Sequence, residues 1–271
     1  MKTSVIITVY NRPEMLIACL RALALQTAPI DEAVVYDDGS NEAAVKRMQA
    51  VFGELPFPIR YVWQADQGYR LAAARNNALR AAGGEYIISL DGDILLLPDA
   101  VAAHLRQARR GVFLAANRAW VGEEDTRALF TRTLSARLLD MMWTRSDRRH
   151  LRPAQRQFIR NGWLRKVGLA RRHKPKILGC NFSLFREDID RVNGFDEQYI
   201  GWGLEDDDFA SRLHLAGVRG QSLILEARAL HLWHLPVAAH AGSPLKSPNR
   251  AYFNRRDMPA YCRQGMVRES S

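Results

Sequence analysis

Two hydrophobic rhythms alternate along the first part of the chain. Residues 4–9 are a short β-favouring apolar run, and from Pro13 to Gln26 the apolar positions fall at helical spacing, with proline suited to the first turn. The alternation continues with a strand at 33–36, a helix over 42–52, a strand over 59–63 and an alanine-rich helix over 71–82 that Gly83 and Gly84 stop. A strand at 86–90, a helix over 98–109 and a strand at 112–116 follow. Strands spaced by helices of this length form βαβ units. They predict an α/β, Rossmann-like fold with a mostly parallel central sheet flanked by helices.

Residues 117–176 break this rhythm. Their apolar side chains, among them Leu134, Leu139, Met142, Trp143, Phe158 and Trp163, are interleaved with arginine and lysine, which predicts a basic helical insertion with an amphipathic face. That face either packs on the sheet or lies on a membrane surface. From Ile177 the pattern resumes with a strand over 179–185, a short helix over 187–192 and a turn at Asn193-Gly194. Trp202 then stands between two glycines, a helix spans 205–216, strands cover 223–226 and 229–233, and the tail after Pro236 is polar and irregular. The division expected is 1–116, 117–176 and 177–271.

At 271 residues and 47% hydrophobic content the chain can bury a sizeable core, as one large domain or two fused halves, and a disordered chain is excluded. Its three cysteines, Cys19, Cys180 and Cys262, are odd in number and far apart, which argues against a disulfide framework or a CxxC zinc site and for a reducing cytosol. The opening MKTSVIITVYNRPE has too short an apolar stretch for a signal peptide, and no run reaches the ~18 apolar residues of a membrane span. The expectation is a soluble or peripheral protein of the cytoplasm.

The net charge of +10 is regional. Between Arg127 and Lys176 stand fifteen basic residues against two acids, a surplus of thirteen, so the rest of the chain is negative by three. Such a segment is either a solvated helical surface or the seat of a polyanionic partner: anionic lipid, phosphorylated glycan or nucleic acid.

Ligands of open α/β sheets bind beyond the carboxyl ends of the strands. Polar groups collect there after the first strand (Asn11, Arg12), the second (Asp37, Asp38) and the fourth (Asp91-Gly92-Asp93). Two carboxylates flanking a glycine form a solvated turn or face one hard cation, Mg2+ or Mn2+. Four acids, Glu205 to Asp208, open a later helix. The helix dipole favours acids there but does not require four repelling neighbours. One of them suits a general base, others sugar hydroxyls, and Trp202 offers an apolar face to a pyranose. His231 and His234 end a predicted strand as structural histidines or as further metal ligands. Arg75 is a phosphate partner or an exposed helix arginine.

Taken together, the opening Ser-Val-Ile-Ile-Thr-Val-Tyr-Asn-Arg-Pro, Val-Val-Tyr-Asp-Asp-Gly-Ser, Ala-Ala-Arg-Asn and Asp-Gly-Asp resemble the donor half of the bacterial family 2 glycosyltransferases of GT-A fold. Gly-Cys-Asn, Asn-Gly-Phe-Asp-Glu and Gly-Trp-Gly-Leu-Glu-Asp-Asp-Asp resemble the C-terminal region of the galactosyltransferases. The likeness covers roughly residues 3–116 and 177–235. It implies that Thr8, Tyr10 and Arg12 line the base pocket, Asp38 binds base or ribose, and Arg75 sits near the diphosphate. Asp93, supported by Asp91, would hold Mn2+ or Mg2+, with His231 the better histidine ligand and His234 second. Asp206 would be the catalytic base, with Glu205, Asp207 and Trp202 shaping the acceptor site. The activity implied is inverting transfer of a hexose (galactose, glucose or an N-acetyl form) from a UDP-sugar to a glycan or lipid-linked glycan. The setting implied is bacterial cell-surface polysaccharide or lipopolysaccharide synthesis. A lid formed by 117–176 or the tail would order on donor binding.

Two rivals remain open. A non-catalytic basic module binding membrane or nucleic acid fits the charge, but acidic strand ends would repel phosphates, so nucleic acid is not an expected partner. A sugar nucleotidyltransferase would carry a glycine-rich phosphate loop after the first strand, where this chain has Thr8 to Arg12 without glycine.

Overall fold

A computed structural model describes residues 1–235 and 248–268. Strand β1 (Thr3–Val9) is buried at all seven positions and lies mid-sheet, parallel to β2 (Glu32–Asp37) on one side and β4 (Tyr86–Asp91) on the other. Its register sets Thr8 beside both Tyr36 and Asp91, so the polar ends of three strands finish level. β3 (Ile59–Trp63) extends the parallel set beyond β2.

Helices α1 (Pro13–Ala24), α2 (Glu42–Gln49) and α3 (Leu71–Ala81) make the crossovers. α1 starts with proline and buries Leu16, Cys19, Leu20 and Leu23, whereas α2 is capped by Asn41, whose side chain accepts from the Ala44 amide at 3.0 Å. The seven-stranded sheet has the order β3-β2-β1-β4-β8-β6-β9. In it β8 (Asn181–Phe185) runs antiparallel between β4 and β6 (Val112–Ala115), and β9 (Arg219–Ser222) pairs parallel with β6. One sheet thus joins strands from both ends of the chain.

A second, three-stranded sheet was not legible in the sequence. β10 (Ala229–His231) lies between β5 (Ile94–Leu96), antiparallel, and β7 (Ala119–Trp120), parallel. It carries His231 to the side of Asp93, whose carbonyl accepts from the Leu232 amide at 3.0 Å. The strand expected at 223–226 is a turn, closed by Ala227 N–H to the Leu223 carbonyl at 2.9 Å, and the real strand precedes it as the polar segment Arg219–Ser222. Leu223 and Ile224 are apolar because that turn buries them, and the Leu223 amide still donates to the Ala115 carbonyl of β6 at 2.8 Å.

Residues 117–176 fold mainly as α5 (Glu123–Leu129), α6 (Ala136–Arg145) and α7 (Leu151–Lys166). Leu129, Leu139, Met142, Leu151 and Phe158 join the main hydrophobic core, whereas Met141 and Trp163 face solvent. The remaining helices are α4 (Ala100–Gln107), α8 (Arg186–Asp190), α9 (Glu205–Leu215) and α10 (Pro248–Phe253). α10 interrupts the tail expected to be irregular, and residues 236–247 and 269–271 of that tail lie outside the described residues. Among the described residues no helix is long and apolar enough to cross a membrane.

Candidate active site

At the end of β4 the chain turns through Asp91-Gly92-Asp93 into β5. The Gly92 amide donates to the Thr8 carbonyl at 2.9 Å, and a Cβ at Gly92 would sit 3.0 Å from that oxygen, so the turn hugs β1. This sends the two carboxylates to different neighbours. Asp91 Oδ1 accepts from Arg75 Nη2 at 3.2 Å and Thr8 Oγ1 at 3.4 Å. Desolvation, reinforced by Asp93 and Asp206, pushes the Asp91 carboxyl above the ordinary range against the pull of Arg75.

Asp93 faces the two histidines brought in by β10 and the residues after it. His234 Nε2 lies 3.1 Å from Asp93 Oδ2 and His231 Nε2 lies 3.7 Å from Oδ1. The three side chains offer ligand atoms within 4.8 Å of one another. Asp93 Oδ1 and His231 Nδ1 are buried without a hydrogen-bond partner. Burial depresses His231 to about 4, which leaves the imidazole neutral and able to ligate at neutral pH. A carboxylate and two imidazoles, with buried unsatisfied atoms on Asp93 and His231, fit a divalent ion such as Mn2+. Asp91, expected to share the ion, is engaged by Arg75 and lies outside that cluster. Burial raises Asp93 too, but His234, His231 and Arg12 outweigh it and hold the carboxyl low.

Arg12, expected at the base pocket, reaches this cluster. Its Nη1 donates to Asp93 Oδ2 at 3.0 Å and its Nη2 stands 3.1 Å from His234 Nδ1. Tyr10 and Asp38 lie along the loop of residues 64–70. Tyr10 is exposed and donates to Asp66 at 2.7 Å, while Asp38 accepts from the Gln64 side chain and, at 3.3 Å, from the Arg70 amide. Desolvation raises the Asp38 carboxyl. Its neighbour Asp37 is fully buried and ties the turn, accepting from the Ser40 amide at 2.8 Å and the Tyr61 hydroxyl at 2.6 Å.

The acidic helix start approaches from the other side. Leu204 caps α9 in the left-handed region at φ 76°, uncommon for a branched side chain. Arg75, expected near the diphosphate, is instead 1% exposed beneath these acids. Its Nη1 donates to Asp206 Oδ1 at 2.8 Å and to Glu205 Oε1 at 3.3 Å. Asp206 Oδ2 accepts from the Gly179 amide at 2.8 Å. Glu205 Oε2 is buried and unpartnered, and desolvation followed by the charge of Asp206 pushes this carboxyl up to about 7.

The four adjacent acids therefore do not repel as four equal charges. Asp208 is buried in a separate network with Arg212 Nε at 2.6 Å, Arg255 Nη2 at 3.0 Å and the Tyr199 hydroxyl at 3.1 Å. Asp207 has one buried unpartnered oxygen. Trp202 is partly exposed between Gly201 at φ 76° and Gly203 at φ 97°, and the Gly201 amide donates to the Tyr69 carbonyl at 3.0 Å.

Sequence reasoning passed over Tyr69, Arg118 and Trp120, and read Gly179 only as part of the Gly-Cys-Asn motif without a place in the site. Gly179 permits the approach of Arg75 to Asp206, for a Cβ there would lie 2.2 Å from Arg75 Nη2 and 2.5 Å from Asp206 Oδ1. Burial first, and then the charges of Glu205, Asp91 and Asp206, raise the Tyr69 hydroxyl, and Trp120 meets His231 edge-on at 4.6 Å. Tyr69, Arg118 and Trp120 had no sequence signal beyond lying in a loop or a two-residue strand.

A sequence model of the Glycosyl transferase family 2 matches residues 4–190, and one described as N-terminal domain of galactosyltransferase matches residues 168–234. A validoxylamine A glucosyltransferase of Streptomyces hygroscopicus subsp. jinggangensis is 33% identical over 230 residues, covering 79% of this chain and 52% of that protein. The chain thus spans about half the length of that relative. A chondroitin synthase of Escherichia coli is 28% identical over 228 residues, covering 79% of this chain and 32% of that protein. Among solved structures, GalNAc-T7 with UDP, GalNAc and Mn2+ superposes with a TM-score of 0.61 at 16% identity, covering 87% of this chain and 44% of that one. The α/β sheet described above is the GT-A glycosyltransferase fold, as expected from the sequence, and the chain belongs to glycosyl transferase family 2.

Proposed function

We propose that the chain is a metal-dependent, inverting hexosyltransferase. In this reading it moves galactose, glucose or an N-acetyl form from a UDP-sugar to a glycan or lipid-linked glycan, in bacterial cell-surface polysaccharide or lipopolysaccharide synthesis. The observation that carries the proposal is the placement of two unlike clusters on either side of the Asp91–Arg75 pair. Asp93, His231 and His234 form a metal-fitting triad, and Asp206 stands on the other side of Asp91 and Arg75.

Asp93, His231 and His234 would hold Mn2+ or Mg2+, with Asp91 behind them. Bound there with the donor, such an ion neutralises charge on the leaving nucleoside diphosphate. Tyr10 and Asp38 line the side toward the base and ribose, while Thr8, at Asp91, and Arg12, at Asp93 and His234, stand between that side and the metal-fitting triad. Trp202, Glu205 and Asp207 shape the acceptor side. Asp206, fixed by Arg75 and the Gly179 amide, accepts the proton of the acceptor hydroxyl as that oxygen attacks the anomeric carbon from the face opposite the leaving group. The attack inverts the configuration and needs no covalent enzyme intermediate. Arg75 acts as the positioning cation of the floor, not as a phosphate ligand. Residues 1–116 supply the donor half and 177–271 the acceptor half. A lid belongs to 117–176 or to the tail, whose residues 236–247 lie outside the described ones.

The basic segment supports a place against the cytoplasmic face of the inner membrane. Arg152, Arg156, Arg160 and Lys166 share the exposed side of α7 with Ile159 and Trp163, and Val167 and Leu169 follow in the open. Cationic groups beside exposed apolar ones are what an anionic lipid surface binds.

Calorimetric titration with UDP tests the site. Binding in the presence of Mn2+, lost with EDTA and in Asp93→Ala, is the expected outcome. Equal UDP binding with and without Mn2+ would contradict it.

A further inference from the structure

Arg118 follows β6 and leads into β7. Its guanidinium carbon lies 4.8 Å over the Trp120 ring, and Trp120 meets His231 edge-on at 4.6 Å. The β7–β10 pairing fixes this arrangement, since Trp120 is opposite His231 in the ladder. The stack of Arg118, Trp120 and His231 therefore leads to Asp93, 3.7 Å beyond His231 Nε2.

Among the described residues, the Arg118 side chain forms no ion pair or hydrogen bond, and its Nε is buried and unpartnered. The contrast with other arginines around the site is plain. Arg12 is held by Asp93, and Arg75 by three carboxylates. Arg118 nevertheless feels Asp91, Asp93 and Asp206 as charges beyond contact distance, together with the Cys180 thiol. A partly buried guanidinium left unpaired, one ring away from the metal-fitting triad, keeps a fork of donors for something else. Burying such donors unmet is costly, and the fork matches phosphate oxygens.

We propose that Arg118 is a donor-diphosphate ligand, pairing with the terminal phosphate of the nucleoside diphosphate as it leaves. This rests on the nucleotide-sugar reading above. It assigns to Arg118 the phosphate contact that Arg75, closed in by carboxylates, is not free to make. The flat Trp120 ring beneath the guanidinium restricts it to one plane, so few orientations are lost on binding.

The test uses the phosphate as the probe. UDP and UMP are titrated with Mn2+ into the wild type, Arg118→Gln and Arg118→Lys, and circular dichroism and melting check that each variant is folded. Loss of a charge-assisted pair to the second phosphate lowers UDP affinity about tenfold or more in Arg118→Gln and leaves UMP affinity within about twofold. The UDP-to-UMP preference thus shrinks, and Arg118→Lys recovers part of it. A purely structural role would move both nucleotides together. An unchanged preference in a folded Arg118→Gln, beside a wild type that binds UDP, overturns the assignment of Arg118 alone. Failure of the wild type to bind UDP with Mn2+ overturns the donor reading and this assignment with it.

Discussion

Arg75 Nη1 donates to Asp206 Oδ1 at 2.8 Å, and the space that allows this contact exists because residue 179 has no side chain. The relationship ties the proposed base to the Asp-Gly-Asp turn, since the same guanidinium donates to Asp91 at 3.2 Å. In Gly179→Ala the new methyl would push against the Arg75 guanidinium and the Asp206 carboxylate, which the buried ion-pair network holds in place. Overpacking of this kind costs about 1–3 kcal/mol of stability. Turnover should fall at least about tenfold, a loss of ~1.4 kcal/mol of transition-state stabilisation. Chemical denaturation and steady-state kinetics measure the two effects, and wild-type turnover in a folded variant would contradict the contact's importance.

Glu205 gives the protein a pH signature. Its carboxyl is raised from 4.5 to about 7, first by desolvation and then by Asp206. Between those values the folded chain keeps a proton that the unfolded chain has released. Stability from this group therefore falls as pH rises through the window, by about 3 kcal/mol at most. His104, His214 and His231, each depressed to about 4 by burial, act in the opposite sense and gain stability as pH rises toward 6.5. The difference between wild type and Glu205→Gln isolates the acid. The variant should gain relative stability between pH 5 and 7, read from denaturation midpoints, and a pH-independent difference would refute the shift.

The triad of Asp93, His231 and His234 makes a separate claim about metal. Mn2+ binding without nucleotide, followed by electron paramagnetic resonance, should weaken in His231→Ala by more than the ~10-fold that loss of an outer-shell partner costs. Removal of Asp93 should do the same. Mn2+ affinity untouched by either change would move the ion elsewhere.

The outer face of α7 is testable without any substrate. Trp163 is 67% exposed and Leu169 74% exposed, next to Arg152, Arg156 and Arg160. Trp163→Ser with Leu169→Ser should weaken co-sedimentation with anionic vesicles, and charge reversal at Arg152, Arg156 and Arg160 should weaken it further. Binding by the wild type should fall as salt rises, because the lipid charges are screened. Vesicle binding that ignores both sets of changes would assign the patch another role.

Much of the fold was legible because β1 to β4 and their helices carry long, regular patterns. β10 falls within the strand expected over 229–233, but its partners β5 and β7 have only three and two residues, and only their pairing with it makes them strands. β9 escaped because an edge strand of Arg, Gly, Gln and Ser shows no apolar period. Within the site, Asp93, His231 and His234 were readable as ligand types, and their convergence depends on that short sheet. Arg75 was misread as a phosphate partner because sequence spacing does not reveal that Asp91, Glu205 and Asp206 close around it. Asp208 looked like part of the acidic site, but its position one residue further round α9 turns it into the core toward Arg212 and Arg255.

The central claim is donor-sugar chemistry dependent on the metal-fitting triad and on Asp206. The most direct measurement is release of UDP from UDP-glucose, UDP-galactose, UDP-GlcNAc and UDP-GalNAc, with Mn2+ or EDTA, using the wild type, Asp93→Ala and Asp206→Asn. The account predicts release from one donor, abolished by EDTA and by Asp93→Ala and strongly reduced in Asp206→Asn. Release that persists in EDTA and in Asp93→Ala, or that is unaffected by Asp206→Asn, would contradict it.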